Sequence, residues 1–292
     1  MTNRIKNSLA FRMPLLYRLI LKYFVPPPAK KEIEFTDEYD LVILCGAKQI
    51  DMLKECLKSI YKRFEKIPHV FVFTDLDVDI DECRKAVKWF PASNLNIIRG
   101  SDCLNYHLKH KKESLIAFAK NNPMGLKMAA ILQMLNAGKP IIYCDTDVIW
   151  YQDPLPVIKP YLDNPGVEIV MSEDHYPSYD ENLVEKAGLK ALYNPPYFCA
   201  GILLVKRLSE KTRQTVESLL KVVEHQSNHY SEQTIFAYLN KDGNNLALDK
   251  NEFLQLTEDQ YDLKQKLVPG LTARHYIGPV RHLFWRDALW LK

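Results

Sequence analysis

The chain has 292 residues, 47% of them hydrophobic and 26% charged, which are the proportions of a soluble globular protein. Ten glycines and 17 prolines exclude collagen-like and low-complexity classes, and six cysteines are too few for a disulfide scaffold. Lys and Arg outnumber Asp and Glu by three, yet residues 1–31 hold seven basic and no acidic residues, leaving residues 32–292 at −4. A mildly acidic body is a poor surface for nucleic acid, so no nucleic-acid partner is expected.

The N-terminal arm, residues 1–31, differs from the rest. After Pro14, a favourable first helical residue, Leu15, Leu16, Leu19, Ile20, Tyr23 and Phe24 recur at helical spacing. Arg18 and Lys22 interrupt the apolar run, so neither a spanning helix nor a clean signal-peptide core is expected. Two readings stay open. One is an interfacial helix on an anionic membrane, residues 1–25 making peripheral contact with Arg18 and Lys22 at the headgroups. The other is a helix packed on the back of the domain. Pro26-Pro27-Pro28 then ends the helix and acts as a stiff spacer.

From residue 32 onward a single domain is expected, its nucleotide-binding half spanning about 39–147 and its second, less regular half about 148–292. Asp40 to Cys45, ending at Gly46, reads as a buried parallel strand, and residues 48–63 as a helix. Val70 to Thr74 predicts a second strand, residues 80–90 a second helix and Asn96 to Arg99 a third strand. Leu126 to Leu135 is helical and stops at Gly138-Lys139-Pro140, before a further buried strand at Ile141 to Cys144. This βαβαβ order is that of the nucleotide-binding half of a doubly wound sheet. Farther on, Glu168 to Ser172 and Tyr197 to Val205 predict strands, and Glu210 to Glu224 and Ser231 to Leu239 helices. The Pro/Tyr/Asn-rich stretch Asp174 to Pro196 has the composition of a substrate-binding loop.

The sharpest motif is Tyr143-Cys144-Asp145-Thr146-Asp147-Val148-Ile149-Trp150, followed by Asp153-Pro154-Leu155. Side chains two apart at a strand end point to one side, so Asp145 and Asp147 can converge. Two hard oxygen ligands there suit Mg²⁺ or Mn²⁺, ions that also favour phosphate oxygens. Open α/β sheets bind ligands in that crevice. No Gly-rich phosphate loop is present, so a metal and cationic side chains would carry the phosphate charge.

Residues Tyr143 to Leu155, the phrase Tyr197-Phe198-Cys199-Ala200-Gly201-Ile202-Leu203-Leu204, the pair Glu232-Gln233, and His275-Tyr276-Ile277-Gly278-Pro279-Val280-Arg281 occur in a characteristic order. Together they resemble retaining glycosyltransferases of the glycogenin and bacterial lipopolysaccharide galactosyltransferase type. The Asp145 to Pro156 segment is also similar to nucleotide-diphospho-sugar transferases. The resemblance covers about residues 39–286 and implies an α/β GT-A fold, a mixed central sheet flanked by helices. It implies a metal-dependent hexosyltransferase of polysaccharide or lipopolysaccharide synthesis. A UDP-sugar would be the donor, a glycan or lipid-linked sugar the acceptor, and the configuration would be retained.

Carried over residue by residue, the resemblance makes Asp145, Asp147 and His275 the ligands of Mn²⁺ (or Mg²⁺). Gly278 would approach the phosphates, and Arg281 would stand where the family usually has Lys, keeping a cation on the departing diphosphate. Lys127 would lie near the donor, and Glu232 and Gln233 beside the sugar ring. Cys199 replaces the family's usual Asn. Leu41 to Gly46, with Cys45 and Gly46 at its end, and Asp75 would meet base and ribose. Retention proceeds either through a covalent intermediate or by same-face attack, and the family analogy favours the latter.

Plainer readings stand beside these. His275 could be a structural histidine, Glu232-Gln233 the first turn of an amphipathic helix, Lys127 a solvated helix face and Cys199 a small filler. Asp-X-Asp after an apolar strand also opens haloacid-dehalogenase phosphohydrolases, with Asp145 as nucleophile, although on their first strand. A non-catalytic relative that kept the fold is the third reading. The cysteines show neither paired nor zinc-ligand spacing, so a cytoplasmic protein is expected, peripheral on the inner face of a membrane if the arm binds lipid.

Overall fold

The computed structural model describes residue 12 and residues 15–29, 32–226, 228–255 and 270–291. Pro14, Arg4, Lys6, Lys30 and Lys31, which the sequence reading used for helix start and arm charge, lie outside the described residues.

A seven-stranded sheet runs in the order β3-β2-β1-β4-β7-β6-β8. Its members are β1 (Glu34–Cys45), β2 (Lys66–Thr74), β3 (Leu95–Arg99), β4 (Ile141–Cys144), β6 (Ile169–Asp174), β7 (Tyr197–Val205) and β8 (Ala247–Leu248). Strands β3, β2, β1 and β4 are mutually parallel, whereas β7 is antiparallel to both β4 and β6. Alternate residues of β1 feed opposite layers: Val42 and Leu44 join one core, Leu41, Ile43 and Cys45 the other. That period of two, apolar on both faces, is why these strands read as continuous hydrophobic runs.

One layer holds α4 (Gly100–Lys109), α5 (Glu113–Asn121), α6 (Pro123–Leu135), α8 (Glu181–Lys186), α9 (Glu210–Val223) and α10 (Ser231–Gly243). The other holds α2 (Ile50–Arg63), α3 (Ile80–Val87) and α7 (Leu155–Asp163). Helix α2 buries Leu53, Cys56, Leu57 and Ile60 at helical spacing, with Asp51 in its first turn and Lys62 and Arg63 in its last, as the dipole favours. Helix α6 starts with Pro123 at a first-turn position, and Asn122 accepts a capping bond from the Met124 amide. It buries residues on nearly every side, because it lies between the sheet and α4, α5 and α10. All six cysteines are free and buried. Among the described residues, no helix is long and apolar enough to cross a membrane.

The structure adds elements beyond the predicted ones. Residues 100–121 form two helices, and the expected loop 174–196 contains α8 and a short 3-10 turn. A second sheet, β5-β10-β9, is built from β5 (Val148–Trp150), β9 (Phe253–Leu254) and β10 (Ala273–His275). Two or three residues per strand are too few to show a period, so it escapes sequence patterns.

The N-terminal helix α1 (residues 15–23) packs with β5, the 3-10 turn Gly278–Leu283 and α11 (Phe284–Trp290) in a third core around Leu21, Tyr276, Phe284 and Trp285. Of the two readings of the arm, helix-on-body packing therefore holds for its inner face. Arg18 corrects the headgroup assignment: its Nε and Nη2 donate to Asp51 at 2.9 and 2.6 Å.

The C-terminal segment is held by one buried carboxylate. Asp287 accepts from Arg286 Nε at 2.6 Å, from Arg274 Nη1 at 3.3 Å and from the Tyr276 hydroxyl at 2.7 Å, all four residues being essentially inaccessible. Removing it takes a carboxylate partner from two buried guanidinium groups, so Asp287→Ala should cost about 3–5 kcal/mol in urea unfolding. A loss below about 1 kcal/mol would show that the network does not hold the segment.

Candidate active site

Strand β4 delivers the acidic pair at its carboxyl end. The Asp145 amide donates to Gly201 O at 2.9 Å, and the Val148 amide closes a turn onto Asp145 O at 3.2 Å. The chain then reverses into β5, whose antiparallel pairing with β10 sets Val148 opposite His275. The Tyr276 amide donates to Asp147 O at 2.9 Å and fixes that register. Residues 130 apart in sequence are thereby brought side by side.

His275 Nε2 lies 3.3 Å from Asp147 Oδ1 and 3.5 Å from Asp145 Oδ2. One ligand atom from each of the three residues lies within 4.8 Å of the others. Two carboxylate oxygens and an imidazole nitrogen suit Mn²⁺ or Mg²⁺, and three protein ligands leave positions open to phosphate oxygens. His275 Nδ1 faces Cys199 Sγ at 3.7 Å. Burial works against the imidazolium, but Asp147 and Cys199 outweigh it and hold the proton well above the ordinary histidine range. Burial likewise works against the Asp147 carboxylate, and His275 and then Arg281 outweigh it, keeping that carboxyl below its usual value.

Arg281, on the turn Gly278–Leu283, reaches Asp147 Oδ2 through Nε at 2.9 Å and Nη2 at 2.8 Å. It is half exposed, so one face of the guanidinium is open to solvent while the other braces Asp147. Lys127 is not on a solvated helix face. It is 2% exposed, donates to Ala200 O at 2.6 Å, and sits 3.7 Å from Asp145 and 3.6 Å from Glu232. Burial disfavours its charge, yet Asp145 and Glu232 raise its pKa above the usual lysine value. The Tyr143 hydroxyl donates to Asp145 Oδ1 at 2.6 Å from beneath.

Glu232 is buried, and its Oε1 has no hydrogen-bond partner among the described residues. Burial pushes its carboxyl up to about 7, partly offset by Lys127. Gln233 is fixed at both ends of its amide, accepting from the Ala200 amide at 3.1 Å and donating to Ser178 O at 2.7 Å. Both residues open α10, but their contacts are to β7, to Lys127 and to the loop before α8 rather than those of a solvated first turn.

The expected base and ribose contacts gather separately, at the ends of β1 and β2. The Asp75 amide donates to Cys45 O at 2.9 Å, and a Cβ on Gly46 would lie 2.9 Å from Asp75 Oδ2. Burial, then Asp77, pushes the Asp75 carboxyl up to about 6. The Cys45 thiol is fully buried, so that residue offers a ligand only its main chain. Among the described residues, Gly278 has open space where a side chain would project, so none of them demands glycine there.

One contributor carried no assignment in the sequence reading. A Cβ on Gly201 would fall 2.1 Å from the His275 ring, so this glycine is the slot in which the imidazole lies. A glycine inside a buried, otherwise apolar strand is the signal that could have found it.

A family model for nucleotide-diphospho-sugar transferases matches residues 105–272, more than half of the chain. The chain belongs to the nucleotide-diphospho-sugar transferase family. The transferase also resembles solved structures at low identity, a likeness that concerns the fold. Mouse xyloside xylosyltransferase 1 is 13% identical, with 82% of this chain and 97% of that one aligned at a TM-score of 0.54. The galactosyltransferase LgtC, solved with donor and acceptor sugar analogues, is 14% identical, covering 86% and 95% at 0.53. GlyE of Streptococcus pneumoniae TIGR4 is 13% identical, covering 87% and 61% at 0.51. No curated protein matches the sequence. The expected GT-A fold is therefore present, and the transferase is a nucleotide-sugar glycosyltransferase of that type. Membership of this family displaces the phosphohydrolase reading of Asp145, which also follows the fourth strand rather than the first.

The two glycines separate packing from ligand approach. Gly201→Ala should displace His275, weaken calorimetric Mn²⁺ binding at least about tenfold and cost about 1–3 kcal/mol of stability. Gly278→Ala should leave stability within about 0.5 kcal/mol and metal binding unchanged, while weakening binding of UDP. Equal behaviour of the two variants would contradict the geometry.

Proposed function

We propose that this transferase moves a hexose from a UDP-sugar to a glycan or lipid-linked acceptor with retention of configuration. The carrying observation is the convergence of Asp145, Asp147 and His275, with Arg281 on the same carboxylate. These three side chains would hold Mn²⁺ or Mg²⁺, which when bound supplies Lewis-acid charge to the donor diphosphate.

The chain's own residues would do the rest. Arg281 has one donor face open to solvent and would turn it to the leaving diphosphate, where a planar fork suits phosphate oxygens. Lys127, buried between Asp145 and Glu232, would keep both carboxylates in place and add positive charge below the donor. Gln233, locked at both ends, would present a rigid wall to the sugar ring, with Cys199 beside His275 shaping the same pocket. The ends of β1 and β2, with the Cys45 main chain, Gly46 and Asp75, would receive the nucleoside, and Gly278 would let a phosphate approach closely. Burial of Glu232 behind Lys127 supports same-face attack over a covalent adduct, since an enclosed carboxyl pushed up to about 7 is a poor nucleophile.

Nucleotide release from a panel of UDP-sugars with Mn²⁺ tests the reading. The wild-type protein should turn over at least one donor, and Asp145→Asn with Asp147→Asn should lower that rate by about 10²–10³-fold or more. Donor-induced thermal stabilisation without turnover would instead favour a non-catalytic relative. Arg281→Gln should separate two effects: Mn²⁺ binding several-fold tighter, because Asp147 loses a competing cation, and donor turnover about 10²-fold slower. Weaker Mn²⁺ binding in that variant would contradict the proposed part of Arg281.

A further inference from the structure

Helix α1 is oriented opposite to a helix that merely covers a soluble body. Such a helix turns its apolar stripe inward and its charges outward. Here the inner face carries Arg18, bonded to Asp51 and lying 5.3 Å over the Trp285 ring, with Leu21 as its one fully covered aliphatic side chain. The outer face carries Leu15, Leu16, Leu19, Ile20 and Tyr23, continued by Phe24, the last of these 78% exposed. Six large apolar side chains thus face solvent within ten residues, and Trp290, on the helix beneath, is 51% exposed. A contiguous patch of this kind marks an interaction surface.

Charge identifies the partner. Residues 1–31 hold seven basic and no acidic residues, whereas residues 32–292 carry −4. Arg12 and Lys22 are exposed, and Lys22 lies beside the apolar stripe. An anionic surface therefore attracts the arm and not the body, which fixes which side of the protein approaches it. Apolar side chains flanked by lysine and arginine are what a bilayer interface accommodates, with hydrocarbon below the headgroups and phosphates at their level.

We propose that the outer face of α1 docks the protein peripherally on an anionic lipid bilayer. Arg18 is the rivet rather than a lipid contact: through Asp51 in the first turn of α2 it ties the docked helix to the element that follows Gly46. Through Trp285 it ties the helix to the segment that follows Arg281. The docked helix is thereby tied to the segments that follow two candidate site residues, Gly46 and Arg281. A lipid-linked sugar would then be an acceptor held on the same membrane as the protein, a consequence that rests on the transferase reading, whereas the docking itself does not.

The test is co-sedimentation of the full chain with phosphatidylcholine vesicles, with and without phosphatidylglycerol, at low and high salt and with no donor present. The protein should pellet with the anionic vesicles and be released by salt. Leu16→Glu, Leu19→Glu and Tyr23→Glu combined should reduce binding at least about tenfold with an unchanged melting temperature, since these side chains are exposed. Failure to pellet with anionic vesicles would overturn the proposal, as would undiminished pelleting of the triple variant. A dimer in lipid-free solution that the same substitutions dissolve would assign the face to a second copy of the chain and overturn it equally.

Discussion

Three carboxylates and three cations share one end of β4, and their mutual balance is the constraint on which the rest of the site depends. Asp145, Asp147 and Glu232 are held against Lys127, His275 and Arg281 at distances of 2.8 to 3.7 Å. Buried charges are tolerated only when paired, and here each acid has a cation supplied by a different element. Lys127 comes from α6, His275 from β10 and Arg281 from the turn beyond it. The cluster is therefore a tie between distant parts of the chain as well as a site.

That balance bears on how a divalent ion would be received. Both oxygens of Asp147 already face cations, one side toward His275 and the other toward Arg281. A divalent ion between Asp145, Asp147 and His275 would take over the charge that Arg281 and the imidazolium proton now supply. The replaced guanidinium is on a short turn and half exposed, which leaves it free to meet an anionic ligand. Lys127 has no such freedom, because it is enclosed and bonded to the β7 main chain. In the proposed reaction the two basic residues would thus divide the work between an enclosed and an accessible cation.

Much of this was legible in the sequence, and for reasons that can be named. Strands β4 and β7 and the carboxyl-terminal parts of β1 and β2 are buried on both faces and so appear as apolar runs. Asp145 and Asp147 were visible because a polar pair directly after such a run has few structural uses. His275, Glu232 and Arg281 came only through resemblance, since nothing local in their segments announces a ligand. Gly201 went unassigned because its neighbour in space is 74 residues away, and the burial of Lys127 was hidden by a helix that is covered on nearly every side. Arg18 misled the reading in an instructive way. Helical spacing shows which residues share a face, but not which face meets the body, and here an ion pair and a tryptophan decided that.

The central claim is that Asp145, Asp147 and His275 together bind a divalent cation beside a nucleoside diphosphate. The most direct measurement is an anomalous difference map at the manganese edge, from crystals of the wild-type chain grown with MnCl₂ and UDP. The account predicts one strong peak within coordination distance of all three side chains, at about 2.0–2.3 Å, with diphosphate oxygens completing the shell. A peak elsewhere, or UDP bound in order with no metal between these residues, would contradict it.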